Sequence, residues 1–562
     1  MNLVVLIVGG YGTFGGRLVE LLEDEPGLTL VVAGRSLEQA TAYCHGRVNA
    51  KATLRAASFD RSADLAPYFA AFAPAIVVDA SGPFQAYGEN RYRLIEACIA
   101  HRAHYLDLAD GTDFVSGVGA YDTQARDAEV FVLSGVSSFP VLSAAVVRQL
   151  ASGMKTVKSI RGGIAPSPYA GVGENVIRAI AGYAGRPVPM RRNGVPASGY
   201  PFTESIRYTI APPGKLPLRS TLFSLVDVPD LRVLGELWPA VRTVWMGAGP
   251  VPEVLHRALI GFSWLVRLGV LRSLSPLSRL MHQVTRWLRW GEHRGGMFVE
   301  VAGDDDDGVE VTREWHLLAE GDDGPLIPSM AIEALVRKTL AGSPPAAGAR
   351  PAVRELELAD YDALFSGRTL DTGLRERRPH DTQPLYAQLL GSAWQQLPQP
   401  IRTLHSVNSH AVFEGRAAVD RGSGLMANLA ALMFGFPKAG PEVPLSVRFD
   451  VAGGAEKWTR SFAGHTFSSL QFAGRGRCER LLCERFGPVT FAMALVTQGA
   501  QLHLVLRRWA VIGIPLPLKW GPRSIAFEAA DQQRFCFHVE ISHPWIGLIV
   551  RYRGWLLEAR PP

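Results

Sequence analysis

The sequence predicts an α/β chain: a doubly wound parallel sheet, then an α+β region, then a β-rich C-terminal domain built as a barrel or sandwich. Three observations predict it. Leu3-Val4-Val5-Leu6-Ile7-Val8 is an unbroken apolar run suited to a strand buried on both faces. It runs into the glycine-rich stretch Gly9–Gly16 and then an amphipathic helix from Arg17, and apolar runs alternate with helical stretches to about residue 135. Beyond about residue 384, short β-like segments are instead separated by Gly and Pro.

The first turn carries the most chemistry. Gly10, Gly12 and Gly15 form G-x-G-x-x-G between a strand and a helix, the context this motif requires. Gly10 makes the tight turn, Gly12 admits a pyrophosphate to the backbone, and Gly15 lets helix and strand pack closely. The expected fold is therefore of the Rossmann type, with the backbone of Tyr11, Thr13 and Phe14 around the pyrophosphate at a helix N-terminus. A second strand, Leu28 to Val32, ends in Ala33-Gly34-Arg35-Ser36. An NAD-preferring site usually has an acid here, about 20 residues past the glycines, for the ribose 2′-hydroxyl. Arg35 and Ser36 suit a 2′-phosphate instead, so the cofactor read from the sequence is NADP(H).

The later elements follow in order. Helix 37–46, strand 52–57, helix 63–72, strand 75–79, helix 89–101, strand 104–108 and strand 130–133 complete six parallel strands and a domain over 1–135. Residues 136–372 are expected to form an α+β substrate domain, with strands near 158–165, 204–210 and 222–226 and a helix opening at Glu174-Asn175. Within it, 253–294 is helical, basic and aromatic, with seven arginines against two glutamates. Such helices lie on anionic membrane surfaces or cover a sheet. Strands 297–302 and 309–319 flank the acidic tip Asp304–Asp307, a solvated turn rather than a calcium loop. A linker is expected at 373–383, followed by a helix 385–397 and eight β segments, including one continuous run over 457–473. Phe462, Phe467, Phe472, Phe491 and Leu495 are candidates to fill or line this last domain.

Composition sets limits. At 562 residues, two to four domains are expected. A formal charge of +6, mild for a chain of this length, argues against nucleic-acid binding. Five cysteines without metal-ligand spacing read as reduced thiols, and no metal site is expected. The N-terminus enters the first strand with no basic n-region, so the expected location is the cytoplasm, with 253–294 a candidate for peripheral contact with the inner face of a membrane.

Three stretches resemble the saccharopine dehydrogenase-like reductases: Gly9-Gly10-Tyr11-Gly12-Thr13-Phe14-Gly15, Asp79-Ala80-Ser81-Gly82-Pro83-Phe84 and His104-Tyr105-Leu106-Asp107-Leu108. The resemblance is close to about residue 135 and looser to about 370. Residues 384–562 resemble a bacterial domain of unknown function, DUF4166, through Leu385-Tyr386, Leu390-Gly391, Leu397-Pro398 and Tyr552-Arg553-Gly554-Trp555-Leu556. The resemblance implies NADP-linked oxidoreductase chemistry in a family that includes lipid-acting enoyl reductases. It places Asp60 on the adenine side and Ser81, Gly82, Pro83 and Phe84 along the nicotinamide ribose. Asp107, at the carboxyl end of the fifth strand, and Asp110 just beyond it are the candidates for orientation or proton transfer, against a capping role for Asp110.

The expected activity is thus an NADP(H)-dependent oxidoreductase acting on an apolar or lipid-like carbonyl or enone. A non-catalytic NADP(H)-binding sensor or scaffold, and a saccharopine-like amino-acid oxidoreductase, are the alternatives. The expected partner is a small-molecule substrate, with self-association left open.

Overall fold

The computed structural model describes residues 2–379 and 383–559. They divide into two compact units, Met1–Ile206 with Thr221–Thr372, and Arg207–Ser220 with Gly373–Pro562.

The first unit begins β1 (Leu3–Val8), α1 (Thr13–Leu22), β2 (Leu28–Gly34), α2 (Leu37–His45), β3 (Thr53–Ser58), α3 (Ala66–Phe72) and β4 (Ile76–Asp79). It continues α4 (Arg93–Ala100), β5 (His104–Asp107), α5 (Thr112–Gly117), α6 (Asp122–Asp127) and β6 (Phe131–Ser134). The strands pair in parallel in the order β6-β5-β4-β1-β2-β3. Every residue of β2 is buried, as are Val5 to Val8 of β1, because a parallel sheet is covered on both faces.

The sheet does not end at residue 135. After α7 (Ser143–Ala151), β7 (Met154–Ala165), α8 (Glu174–Tyr183), β8 (Val188–Arg192), β9 (Val195–Gly199), β10 (Ser205–Tyr208), β11 (Thr221–Leu225) and α9 (Asp230–Leu237), the chain forms β12 (Thr243–Ala248), α10 (Glu253–Arg267) and α11 (Ser278–Trp287). Then come β13 (Arg294–Asp305), β14 (Glu310–Glu320), α12 (Ile327–Leu340), β15 (Gly348–Pro351), α13 (Leu358–Phe365) and β16 (Leu370–Arg377). β15 returns to the first sheet as a seventh parallel strand beside β6. α12 lies along α1, where the Ser329 hydroxyl donates to the Phe14 carbonyl and Arg337 to the Leu21 carbonyl. Strands β11-β12-β7-β13-β14 form a second, mixed sheet. At its acidic hairpin, Asp305 accepts the amides of Asp307 and Val309, and Asp304 takes Thr156 and Lys158. These carboxylates fix a turn, and no cluster of three or more metal-ligating side chains occurs among the described residues.

In the second unit, α14 (Leu385–Leu390) and α15 (Gln399–Leu404) precede a closed antiparallel barrel of ten strands. Its strands are β17 (His410–Arg421), then, after α16 (Leu425–Met433), β18 (Gly440–Ala452), β19 (Ala455–Phe462), β20 (His465–Ala473), β21 (Leu482–Phe486), β22 (Val489–Gln498) and β23 (Gln501–Val511). The short β24 (Ile514–Leu516) pairs only with β23, and β25 (Arg523–Asp531), β26 (Arg534–His543) and β27 (Gly547–Glu558) complete the ring. Pairing of β22 with β23 and of β17 with β27 closes the ten-stranded ring. Phe462, Phe467 and Leu495 fill the barrel core, and Phe472 packs on a separate cluster around Leu481 and Cys483. The linker expected at 373–383 needs correction: β16 runs to Arg377, so the first part of that stretch is strand, and 380–382 lie outside the described residues.

Asp230 at the start of α9 is fully buried. It takes a hydrogen bond from the Ser143 hydroxyl on one oxygen and has no partner on the other. Burial, opposed by the Ser143 bond, pushes its carboxyl from 3.8 up to about 7. Between those values the folded state holds the proton more tightly than the unfolded chain, so this group erodes stability as pH rises through that window. Asp230→Asn, isosteric and uncharged, is expected to raise stability at pH 8 by on the order of 2 kcal/mol and to leave it nearly unchanged at pH 4. Thermal melts of both proteins across that range check it; equal gains at both ends would remove the titration from the explanation.

Candidate functional site

The glycine turn is built by exclusion of side chains. Gly9 and Gly10 donate their amides to the Ala33 carbonyl, tying the turn to β2. Gly9 has φ +80°, a left-handed backbone favoured by glycine. A Cβ on Gly15 would lie 2.2 Å from the Gly9 carbonyl oxygen, so α1 leaves β1 with no room for any side chain there. Gly12, the N-cap of α1, has only the Gly9 oxygen near its Cβ position, at 3.0 Å. The amides of Thr13, Phe14 and Gly15 occupy the first turn, where a helix supplies no acceptor. Together they make an anion-binding cradle at the carboxyl edge of the sheet.

At the end of β2, Arg35 is exposed and makes no hydrogen bond or ion pair with a described residue. Ser36 has a part in the fold as well: its hydroxyl accepts the Gln39 amide as the N-cap of α2, and its own amide donates to the Tyr11 hydroxyl. The Tyr11 ring crosses Gly34 so closely that a Cβ there would lie 2.4 Å from it. The Tyr11 side chain thus ties the glycine turn to the end of β2. Asp60, past β3, accepts the Ser62 amide.

The 81–84 turn divides. The Ser81 hydroxyl donates to Asp79 at 2.6 Å and lies 2.8 Å from the Tyr87 hydroxyl, so this side chain is held by the sheet end. Phe84 is buried against Tyr87 and Phe114, with ring centroids 4.9 and 5.1 Å away. That corrects its expected place along a ribose: an apolar ring at this turn gains more from the core. Ser81 and Gly82 instead offer backbone, and their carbonyls accept the Asn175 amide of α8 at 3.3 and 3.0 Å. The loop before α8 also crosses the glycine turn: Arg17 donates to the Ala170 carbonyl, and a Cβ on Gly173 would lie 2.8 Å from the Thr13 hydroxyl.

Asp107 is also corrected. It is fully buried, and one carboxyl oxygen accepts the amides of Ala109 and Gly135 at 2.9 and 2.7 Å. Burial outweighs those bonds and pushes it up to about 7. It clamps the ends of β5 and β6 and positions the loop beyond them, since a strand-end carboxylate turned inward can satisfy two loop amides at once. Asp110 is half-buried and accepts from the Gln85 amide at 3.0 Å. Two residues with no sequence motif join it. Asp227, half-buried, accepts the Thr112 hydroxyl at 2.8 Å, and Tyr183 ends α8. Burial raises Asp227, with Asp110 adding to the rise, and burial raises Tyr183 well above its ordinary value, with both carboxylates adding to it. Burial likewise raises Asp110. Three groups that resist ionisation therefore share one electrostatic neighbourhood.

Residues 5–133 match the saccharopine dehydrogenase NADP binding domain, and residues 397–556 match the domain of unknown function DUF4166. The chain joins these two domains, and the first supports an NAD(P)-dependent oxidoreductase. No curated protein matches the sequence. Among solved structures, apo saccharopine dehydrogenase (L-Glu forming) from Saccharomyces cerevisiae overlaps 66% of this chain and 100% of its own, at 14% identity and a TM-score of 0.47. A mutant meso-dapdh with DAP from Clostridium tetani overlaps 64% and 96%, at 12% identity and a TM-score of 0.32. The WlbA (WbpB) dehydrogenase from Thermus thermophilus, in complex with NAD and alpha-ketoglutarate, overlaps 61% and 90%, at 12% identity and a TM-score of 0.29. Likenesses this distant carry no argument about chemistry.

The two glycines make a contrasting pair for mutation. Gly12→Val places a branched side chain in the cradle while meeting one protein atom closely, so it should abolish dinucleotide binding and lower stability by only about 1–2 kcal/mol. Gly15→Ala drives a methyl into the Gly9 carbonyl and should cost about 3 kcal/mol or more. Melting and cofactor titration of both variants check this; a stable Gly15→Ala protein or a binding-competent Gly12→Val protein would contradict the assignment.

Proposed function

We propose that this protein is an NADP(H)-dependent oxidoreductase acting on an uncharged, apolar, lipid-like carbonyl or enone. The observation that carries the cofactor preference is Arg35: an exposed guanidinium with no partner among the described residues, at the end of β2, where no acid stands to hold a ribose 2′-hydroxyl. The residues present fit such a cofactor, with the Thr13–Gly15 amides for its pyrophosphate and the Ser81 and Gly82 backbone beside its ribose. When bound, the nicotinamide supplies or accepts hydride.

The protein's own part is to hold a proton and exclude water. Burial raises the proton affinity of Asp110, Asp227 and Tyr183, and one of these groups serves as the acid when hydride adds to the substrate. Asp227, anchored by Thr112, is the assigned donor. Two carboxyls and a phenol suit a neutral carbonyl better than the carboxylate of an amino acid, which supports this reading over saccharopine-like chemistry.

The test is NADPH oxidation by the full-length protein with a lipid-enriched extract, alongside fluorescence titration of both dinucleotides. Arg35→Ala should weaken NADPH binding by the equivalent of about 1.5–3 kcal/mol and leave NADH binding nearly unchanged. Asp227→Asn should keep NADPH affinity and lose roughly a hundredfold or more in turnover. Equal losses for NADPH and NADH in Arg35→Ala, or full turnover in Asp227→Asn, would refute these roles.

A further inference from the structure

α10 presents large apolar side chains outward as well as inward. Its buried residues are His256, Ser263 and Val266, with Leu255, Leu259 and Ile260 partly buried on the same side. His256 meets the Ser224 hydroxyl at 2.8 Å, and the Ser263 carbonyl lies 2.2 Å from where a Gly185 Cβ would be. The opposite side exposes Val254, Phe262, Trp264, Leu265 and Leu268. Beyond its packed side, α10 thus presents a second apolar stripe outward. Val270, Leu280 on α11, Trp287 at 83% exposure and Trp290 at 50% are exposed as well. So many large apolar side chains exposed within one short stretch of chain mark an interaction surface.

Charge identifies what covers it. Arg257 is paired with Glu253, and Arg267 lies over the Tyr200 and Trp264 rings. Arg272, Arg279, Arg286 and Arg289 are exposed and pair with no acid among the described residues. Tryptophan, leucine and unpaired arginine on one pair of helices match the two layers of an anionic bilayer surface, acyl boundary and phosphate. No described helix is long and apolar enough to cross a membrane, so these helices would lie on it.

We propose that α10 and α11, with the segment through Trp290, dock this protein on an anionic lipid surface. The docking stands on exposure and charge and does not depend on the cofactor assignment. It deepens the functional reading in one respect. α8, which carries Tyr183 and reaches the 81–82 turn through Asn175, lies against this region: the Ser273 hydroxyl donates to the Ala181 carbonyl and Arg186 to the Arg272 carbonyl. A bilayer-dissolved substrate would therefore arrive beside the candidate proton donors.

The experiment is co-sedimentation of the full-length protein with vesicles of phosphatidylcholine alone and of phosphatidylcholine with phosphatidylglycerol in equal parts. Binding to the mixed vesicles only, with a blue shift of tryptophan emission, is expected. Each of Arg279→Gln, Arg286→Gln and Arg289→Gln should weaken partitioning by about fivefold. Trp287→Ser with Trp290→Ser should abolish the blue shift, with circular dichroism melts unchanged because both side chains are exposed. Equal binding to both vesicle types, or binding indifferent to the arginines, would overturn the anionic surface as occupant. Absence of vesicle binding with concentration-dependent self-association lost in Trp287→Ser would overturn it in favour of a second copy of this chain.

Discussion

The close approach of Gly15 to the Gly9 carbonyl is the constraint on which the N-terminal unit depends. A strand buried on both faces must turn directly into a helix whose first amides remain unclaimed, and this is achieved only where no side chain separates them. The helix is then held from outside by α12, and the turn from the side by Ala33. The anion cradle is a consequence of that packing rather than an addition to it.

The same economy appears around the carboxyl edge. Asp79 and Asp107 end adjacent parallel strands, directly paired with each other, and both are fully buried. Each is used to fix the loop that follows, Asp79 through Ser81 and Tyr87, Asp107 through Ala109 and Gly135. With the loops fixed, the partly exposed Asp110, Asp227 and Tyr183 gain a defined neighbourhood in which burial raises their affinity for protons. Buried acids fix the loops, and the half-buried ones are the groups proposed to react.

What could be read from the sequence follows from how local each signal is. The β1 run and the glycine spacing are contiguous, and both are legible in the sequence. β15 was not, because Gly-Ala-Arg-Pro carries no strand signature and gains its pairing only from β6, far back in the chain. The run 457–473 reads as one strand but is two, since Ala463 and Gly464 both take positive φ and turn a tight hairpin. Asp107 looked reactive because position along a strand says nothing of inward burial. Asp227 and Tyr183 lie in no motif, and only the tertiary fold brings them to Asp110. The basic, aromatic character of 253–294 was visible, but not that its apolar side faces outward.

The central claim is that the dinucleotide lies across the glycine cradle, with its adenosine end at Arg35 and its nicotinamide end at the Asp110–Asp227–Tyr183 neighbourhood. The most direct measurement is a crystal structure of the protein with NADPH bound. The account predicts the 2′-phosphate against the Arg35 guanidinium, the pyrophosphate on the Thr13–Gly15 amides, and the nicotinamide C4 facing Asp227. A 2′-phosphate held elsewhere, or a nicotinamide C4 turned away from all three groups, would contradict it.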